Sequence, residues 1–141
     1  AVGKGSTSSN ELEYITIAST GNATDFGNLT AGDAHLATAN SIVRGLIFSG
    51  TARTQAIDYI TIASAGNAAD FGDHLSASNS RKGYCVHNKI YAYYGRTAAT
   101  DQEKHTIATA ANATAFVFTD ITSIGYSYET ASIKGWIAAS G

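Results

Sequence analysis

At 141 residues, 44% of them apolar, the chain is long enough for one domain with its own core and too apolar to remain disordered. Charged residues make up 14%, the formal net charge is −2, and no Lys/Arg cluster interleaves with the aromatics, which excludes an electrostatic nucleic-acid surface. The longest apolar runs, such as 57–65, are broken by Asp58, Thr61 and Ser64, far short of the roughly 20 residues that span a bilayer, so no membrane insertion is expected.

A lone Cys85 rules out an internal disulfide and a zinc site built of several thiolates. Absence of proline, 14 glycines and abundant Ala, Ser and Thr fit short extended segments and turns, so the expected fold class is all-β. The chain has no methionine and starts at Ala1, which points to processing or to a fragment.

In chain order, the first recognisable element is Tyr14-Ile15-Thr16-Ile17-Ala18-Ser19-Thr20-Gly21-Asn22-Ala23-Thr24-Asp25-Phe26-Gly27. It returns at 59–72, and in eroded form at 106–116, at a spacing of 45 residues (61 minus 16, and 106 minus 61). Residues Ala1–Gly5 match Leu46–Gly50 in this register, so the chain opens on the end of a repeat. The units run 10–54, 55–99 and 100–141, preceded by a terminal strand in 1–9. Serial repeats of this length mean solenoids, propellers or arrays.

Within a unit, Tyr14-Ile15-Thr16-Ile17 alternates as a strand does. The spacing places Ile15, Ile17, Ile60, Ile62 and Ile107 in one buried layer, with Phe26, Phe71 and Phe116 at equivalent positions. Gly21-Asn22 and Gly66-Asn67 then turn the chain. The alanine-rich segment 31–40 also admits a helix. A second extended segment recurs at 44–49, 89–94 and 134–139, aligning Arg44 with Lys89 and Lys134, and Leu46 with Tyr91 and Trp136.

The residues 57–63, 66–73 and 44–50 together resemble the kelch-like repeats of virion structural proteins of marine bacteriophages, cyanophages in particular. The resemblance covers nearly the whole chain. It implies propeller-like blades, with Tyr14 and Tyr59 as the blade tyrosine, Phe26, Phe71 and Phe116 at the blade tryptophan, and Gly50 and Gly95 ending a glycine-rich strand. Three units are too few for a closed propeller, so the blades are expected to be completed by self-association, as a homodimer ring or a filament, or else the units are excised from a longer repeat chain. A linear β solenoid is the alternative. The Ala1–Gly5 segment, a fourth copy of the strand end, is expected to pair with a neighbouring subunit.

Candidate chemistry is sparse. His35, His74, His87 and His105 fall at unrelated repeat positions and share no metal-binding motif, so they are read as surface or packing residues and no metal or cofactor is expected. Cys85 beside His87 is read as a small hydrophobe, because strand neighbours point to opposite faces. No nucleophile elbow, P-loop or dinucleotide fingerprint occurs, so an enzyme is not expected. The pairs Asn22/Asp25 and Asn67/Asp70 are read as turn formers, with calcium or sugar hydroxyls as the competing use. Asn22-Ala23-Thr24, Asn28-Leu29-Thr30 and Asn112-Ala113-Thr114 match the glycosylation pattern, relevant only in a source that glycosylates. Tyr91/Tyr93 and Tyr126/Tyr128 alternate, and with Trp136 they are read as inter-blade core or subunit interface, with glycan contact as the competing use. The sequence therefore reads as a non-enzymatic structural or adhesion component of a virion or surface appendage, located on a virion or outside the cell. Its expected partners are copies of itself; a carbohydrate-binding repeat lectin is the alternative.

Overall fold

The computed structural model describes residues 2–3, 9–33, 36–48, 55–75, 82–86, 91–95, 102–115, 127–130 and 135–138. For 2–3, 82–86, 91–95, 127–130, 135–138 and Gln102 the backbone alone is described. All regular structure among these residues is β: β1 Val2–Gly3, β2 Ser9–Tyr14, β3 Thr24–Asp33, β4 Ala37–Asn40, β5 Arg44–Phe48, β6 Ala56–Thr61, β7 Ala69–Asp73, β8 Lys82–Val86, β9 Tyr91–Gly95, β10 Gln102–Thr106, β11 Thr114–Ala115, β12 Ser127–Thr130 and β13 Gly135–Ala138. These strands form four sheets, in orders β1-β2-β3, β4-β5-β6-β7, β8-β9-β10-β11 and β12-β13. Every pairing joins consecutive strands antiparallel.

Strands β3, β7 and β11 begin at Thr24, Ala69 and Thr114, matching the spacing read from the sequence. The hydrogen-bonded sheets nevertheless run across the boundary drawn at 54/55, since β5 pairs with β6. Segment 31–40, where a helix was an option, holds the end of β3 and all of β4.

The strand expected at Tyr14–Ile17 lies further upstream. β2 stops at Tyr14 and β6 at Thr61. The chain then turns, with Ser19 N–H donating to Thr16 O (3.2 Å), Ser64 N–H to Thr61 O (3.3 Å) and Thr109 N–H to Thr106 O (3.1 Å). The expected layer of five isoleucines is thereby corrected. Ile60 and Ile107 are buried, whereas Ile15 is 54%, Ile62 43% and Ile17 97% exposed. Period-two alternation assigns faces only as far as a strand continues. Beyond it, burial depends on whether another sheet lies in front of the turn. Phe71 is buried and Phe26 half-buried; Phe116 lies outside the described residues.

The second sheet is covered on both faces. Ala39, Leu46, Phe48, Ile57 and Phe71 pack with Ile107 of the segment following β10. On the opposite face Ile47 and Ile60 pack with Leu12 and Leu29 of the first sheet. Alternate residues of β5 thus enter different cores, which is why Leu46, Ile47 and Phe48 are all buried in succession.

Within the first five residues, Val2 pairs with Glu13 and Gly3 with Leu12, so Val2–Gly3 extends the chain's own first sheet. Gly3 and Gly27 sit opposite Leu12 on either side. The pairing of Tyr93 with Lys104, where Leu46 pairs with Tyr59, shifts the third sheet by two residues relative to the simple alignment of Leu46 with Tyr91. The connection from Gly95 to Gln102 is correspondingly shorter than that from Phe48 to Ile57 (six residues against eight).

Candidate functional site: the junctions between successive sheets

Two junctions are described, one between the first and second sheets and one between the second and third. Each is prepared by a bulge. The register of β2 with β3 shifts between Leu12 and Glu13, and that of β6 with β7 between Ile57 and Asp58, leaving Phe26 and Phe71 as extra residues. Asp25 Oδ1 accepts from Gly27 N–H (3.0 Å) and Asp70 Oδ1 from Gly72 N–H (3.1 Å), pinning both bulges. Gly27 and Gly72 take φ of +144° and +137°, a region L side chains rarely adopt.

The bulged strand then receives the loop of the following sheet. Gly66 N–H donates to Phe26 O (2.7 Å) and Ala68 N–H to Asn28 O (2.8 Å), while Asn67 Oδ1 accepts from Asn28 N–H (3.1 Å). At the next junction Ala113 N–H donates to Asp73 O (2.8 Å), and Asn112 Oδ1 accepts from Asp73 N–H (3.0 Å). A side chain at either glycine would collide with the arriving loop: a Cβ on Gly27 would lie 2.3 Å from Gly66 O, and one on Gly72 2.6 Å from the Ala111 carbonyl carbon. Arg44 adds a further tie across the second junction. Its guanidinium donates to Ala108 O (2.9 Å) and Ile107 O (3.3 Å) and lies 4.6 Å from the centroid of the Tyr59 ring.

This geometry separates the roles within Asn22/Asp25 and Asn67/Asp70. The aspartates hold their own bulges, whereas Asn67 reaches across to the preceding sheet. Asn22 is exposed. Tyr91 and Tyr93 occupy alternate positions of β9, opposite Thr106 and Lys104. On the fourth sheet Tyr128 pairs with Ile137 and Trp136 with Glu129. The side chains of these four aromatics, and all of Tyr126, His35 and His87, lie outside the described residues.

A carboxylate reinforces each junction. Asp58 accepts from Thr30 N–H (2.8 Å) and from the Thr30 hydroxyl (2.7 and 2.9 Å). One period later Glu103 Oε1 accepts from Leu75 N–H (3.0 Å). Around Asp58 the flanking positions are Leu29 and Ile60; around Glu103 the equivalent positions are His74 and His105. His74 Nδ1 lies 2.7 Å and His105 Nε2 3.8 Å from Glu103 Oε2, and all three side chains are buried. His74 N–H donates to Gln55 O (2.8 Å) and Gln55 Nε2 donates back to His74 O (2.8 Å), fixing its backbone. Phe48 lies against both rings, at centroid distances of 5.4 and 5.6 Å.

Of the histidines read as surface or packing residues, His74 and His105 are both buried and come together at one junction. They differ in repeat position because they approach one junction from opposite sheets. The signal available in the sequence was the paired replacement of two apolar repeat positions, Leu29 and Ile60, by histidine.

An apolar cleft of about 620 Å³ also opens between the first two sheets, lined by Tyr14, Ile17, Phe26, Ile47, Ile62 and Ala65 among others.

No family model, curated protein or solved structure matches the chain.

Proposed function

We propose that the chain is a non-enzymatic structural or adhesion component of a phage virion or surface appendage, built from kelch-like repeats and assembled from copies of itself. The observation that carries this reading is the recurrence of one loop-to-strand latch at both described junctions. Such a contact needs only a bulged strand on one side and a Gly-Asn or Ala-Asn loop on the other, and it propagates from sheet to sheet. The loop 15–23 has the same sequence character and the same turn as the latching loops, yet it is exposed, with Ile17 almost fully so. In the proposed assembly this loop docks on the bulged strand of a second copy, covering Ile17 as Ile107 is covered within the chain. The placement on a virion rests on the resemblance of residues 44–50, 57–63 and 66–73 to phage repeats.

Sedimentation of the full chain across the micromolar range tests the assembly. Expected is a mass that rises with concentration and falls back towards one chain in an Ile17→Asp, Asn22→Ala variant. A monomer unaffected by these changes overturns self-association. Saturable binding on a glycan array, lost with Tyr91→Ala or Trp136→Ala, would instead move the function to carbohydrate recognition.

A further inference from the structure

We infer that His74, Glu103 and His105 form a divalent transition-metal site, fitted to zinc, that staples the second sheet to the third. Their donor atoms all lie within 4.8 Å of one another, and the three residues are buried. A tetrahedral ion with bonds of about 2.0–2.2 Å sets its donors roughly 3.3–3.6 Å apart. The separations of 2.7 and 3.8 Å from Glu103 Oε2 bracket that value, so small side-chain adjustments would bring the donors onto an ion. The 3.8 Å approach of His105 is too long for a hydrogen bond but suits two ligands sharing a cation.

The preceding junction serves as an internal control. There Asp58 secures its strand through Thr30 with Leu29 and Ile60 beside it, so a carboxylate latch needs no histidine. At this junction imidazoles stand where the preceding one has two aliphatic side chains, which places two nitrogen donors beside a buried carboxylate. Supporting contacts are in place as well. Leu75 N–H holds Glu103 Oε1, which turns Oε2 towards both rings, and the Gln55 clamp fixes the His74 backbone. Two nitrogens and one oxygen suit zinc, cobalt, nickel or copper, and disfavour calcium and magnesium, which prefer all-oxygen shells.

The test uses the untagged full chain, stripped with EDTA and titrated with Co²⁺ and then Zn²⁺. Expected is one Co²⁺ per chain with the intense visible absorption of a four-coordinate ion, displaced by Zn²⁺, and a melting temperature raised by either metal. A His74→Leu, His105→Ile double variant, which copies the preceding junction, should fold, bind no Co²⁺ and melt at the same temperature with or without metal. Should that variant fail to fold, Glu103→Gln, which keeps an acceptor for Leu75, should weaken Co²⁺ binding at least about tenfold. Absence of stoichiometric binding by the parent chain, or binding undiminished in these variants, overturns the site.

Discussion

Two glycines of the same unit differ in both conformation and contact. Gly72 needs a positive φ and also faces the Ala111 backbone, whereas a Cβ on Gly66 would meet nothing within 4 Å. Gly72→Ala is therefore expected to cost at least about 1–3 kcal/mol through overpacking alone. Gly66→Ala should lie within about 0.5 kcal/mol of the parent. Chemical denaturation of both variants checks the contrast, and equal effects would sink the close-approach argument. Asparagine makes a parallel case. Asn67→Ala removes the Oδ1 acceptor of Asn28 N–H and should destabilise by about 0.5–1.5 kcal/mol. Asn22→Ala, at an exposed position, should leave the melting curve of the monomer unchanged.

At the level of strands, Ile60 and Ile17 began as equivalent members of one alternating pattern and ended in opposite environments. Ile60→Ala removes a residue of the first inter-sheet core and should cost on the order of 2–5 kcal/mol. Ile17→Ala, measured in the same denaturation series at a concentration too low for association, should cost less than about 0.5 kcal/mol. The spacing and the β class were legible in the sequence, because they rest on local periodicity and on glycine; Asp25 and Asp70, read as turn formers, instead lie inside strands and hold bulges. Strand ends were less so. Thr16 and Thr61 look like the middle of a strand by composition, yet their carbonyls open a turn. Sheet composition was hidden for another reason: a repeat can be cut at any phase, and only the β5–β6 hydrogen bonds show that the cut at 54/55 passes through a sheet. The His74, Glu103 and His105 cluster was invisible to motif reading because its members come from both sides of a junction.

At the scale of the molecule, the first three sheets touch through small cores and a few latch bonds, so stability should accumulate by neighbouring pairs. A double variant combining Ile60→Ala with Gly72→Ala, which strike different junctions, should show nearly additive losses; a large coupling term in a double-mutant cycle would contradict this. The latches have a further consequence in time. The amides of Ala68 and Ala113 are bonded to the preceding sheet although both residues sit in loops, while Ala23, one period earlier, is exposed. Loop amides ordinarily exchange with solvent quickly, but these two can do so only when adjacent sheets part. Hydrogen-exchange rates at Ala68 and Ala113 therefore act as separate clocks for the opening of the two junctions, with Ala23 as the unprotected reference. Comparable fast exchange at all three would show that the sheets separate freely in solution. If the imidazole cluster binds its ion, added zinc should slow the clock at Ala113 and leave the one at Ala68 running at its former rate.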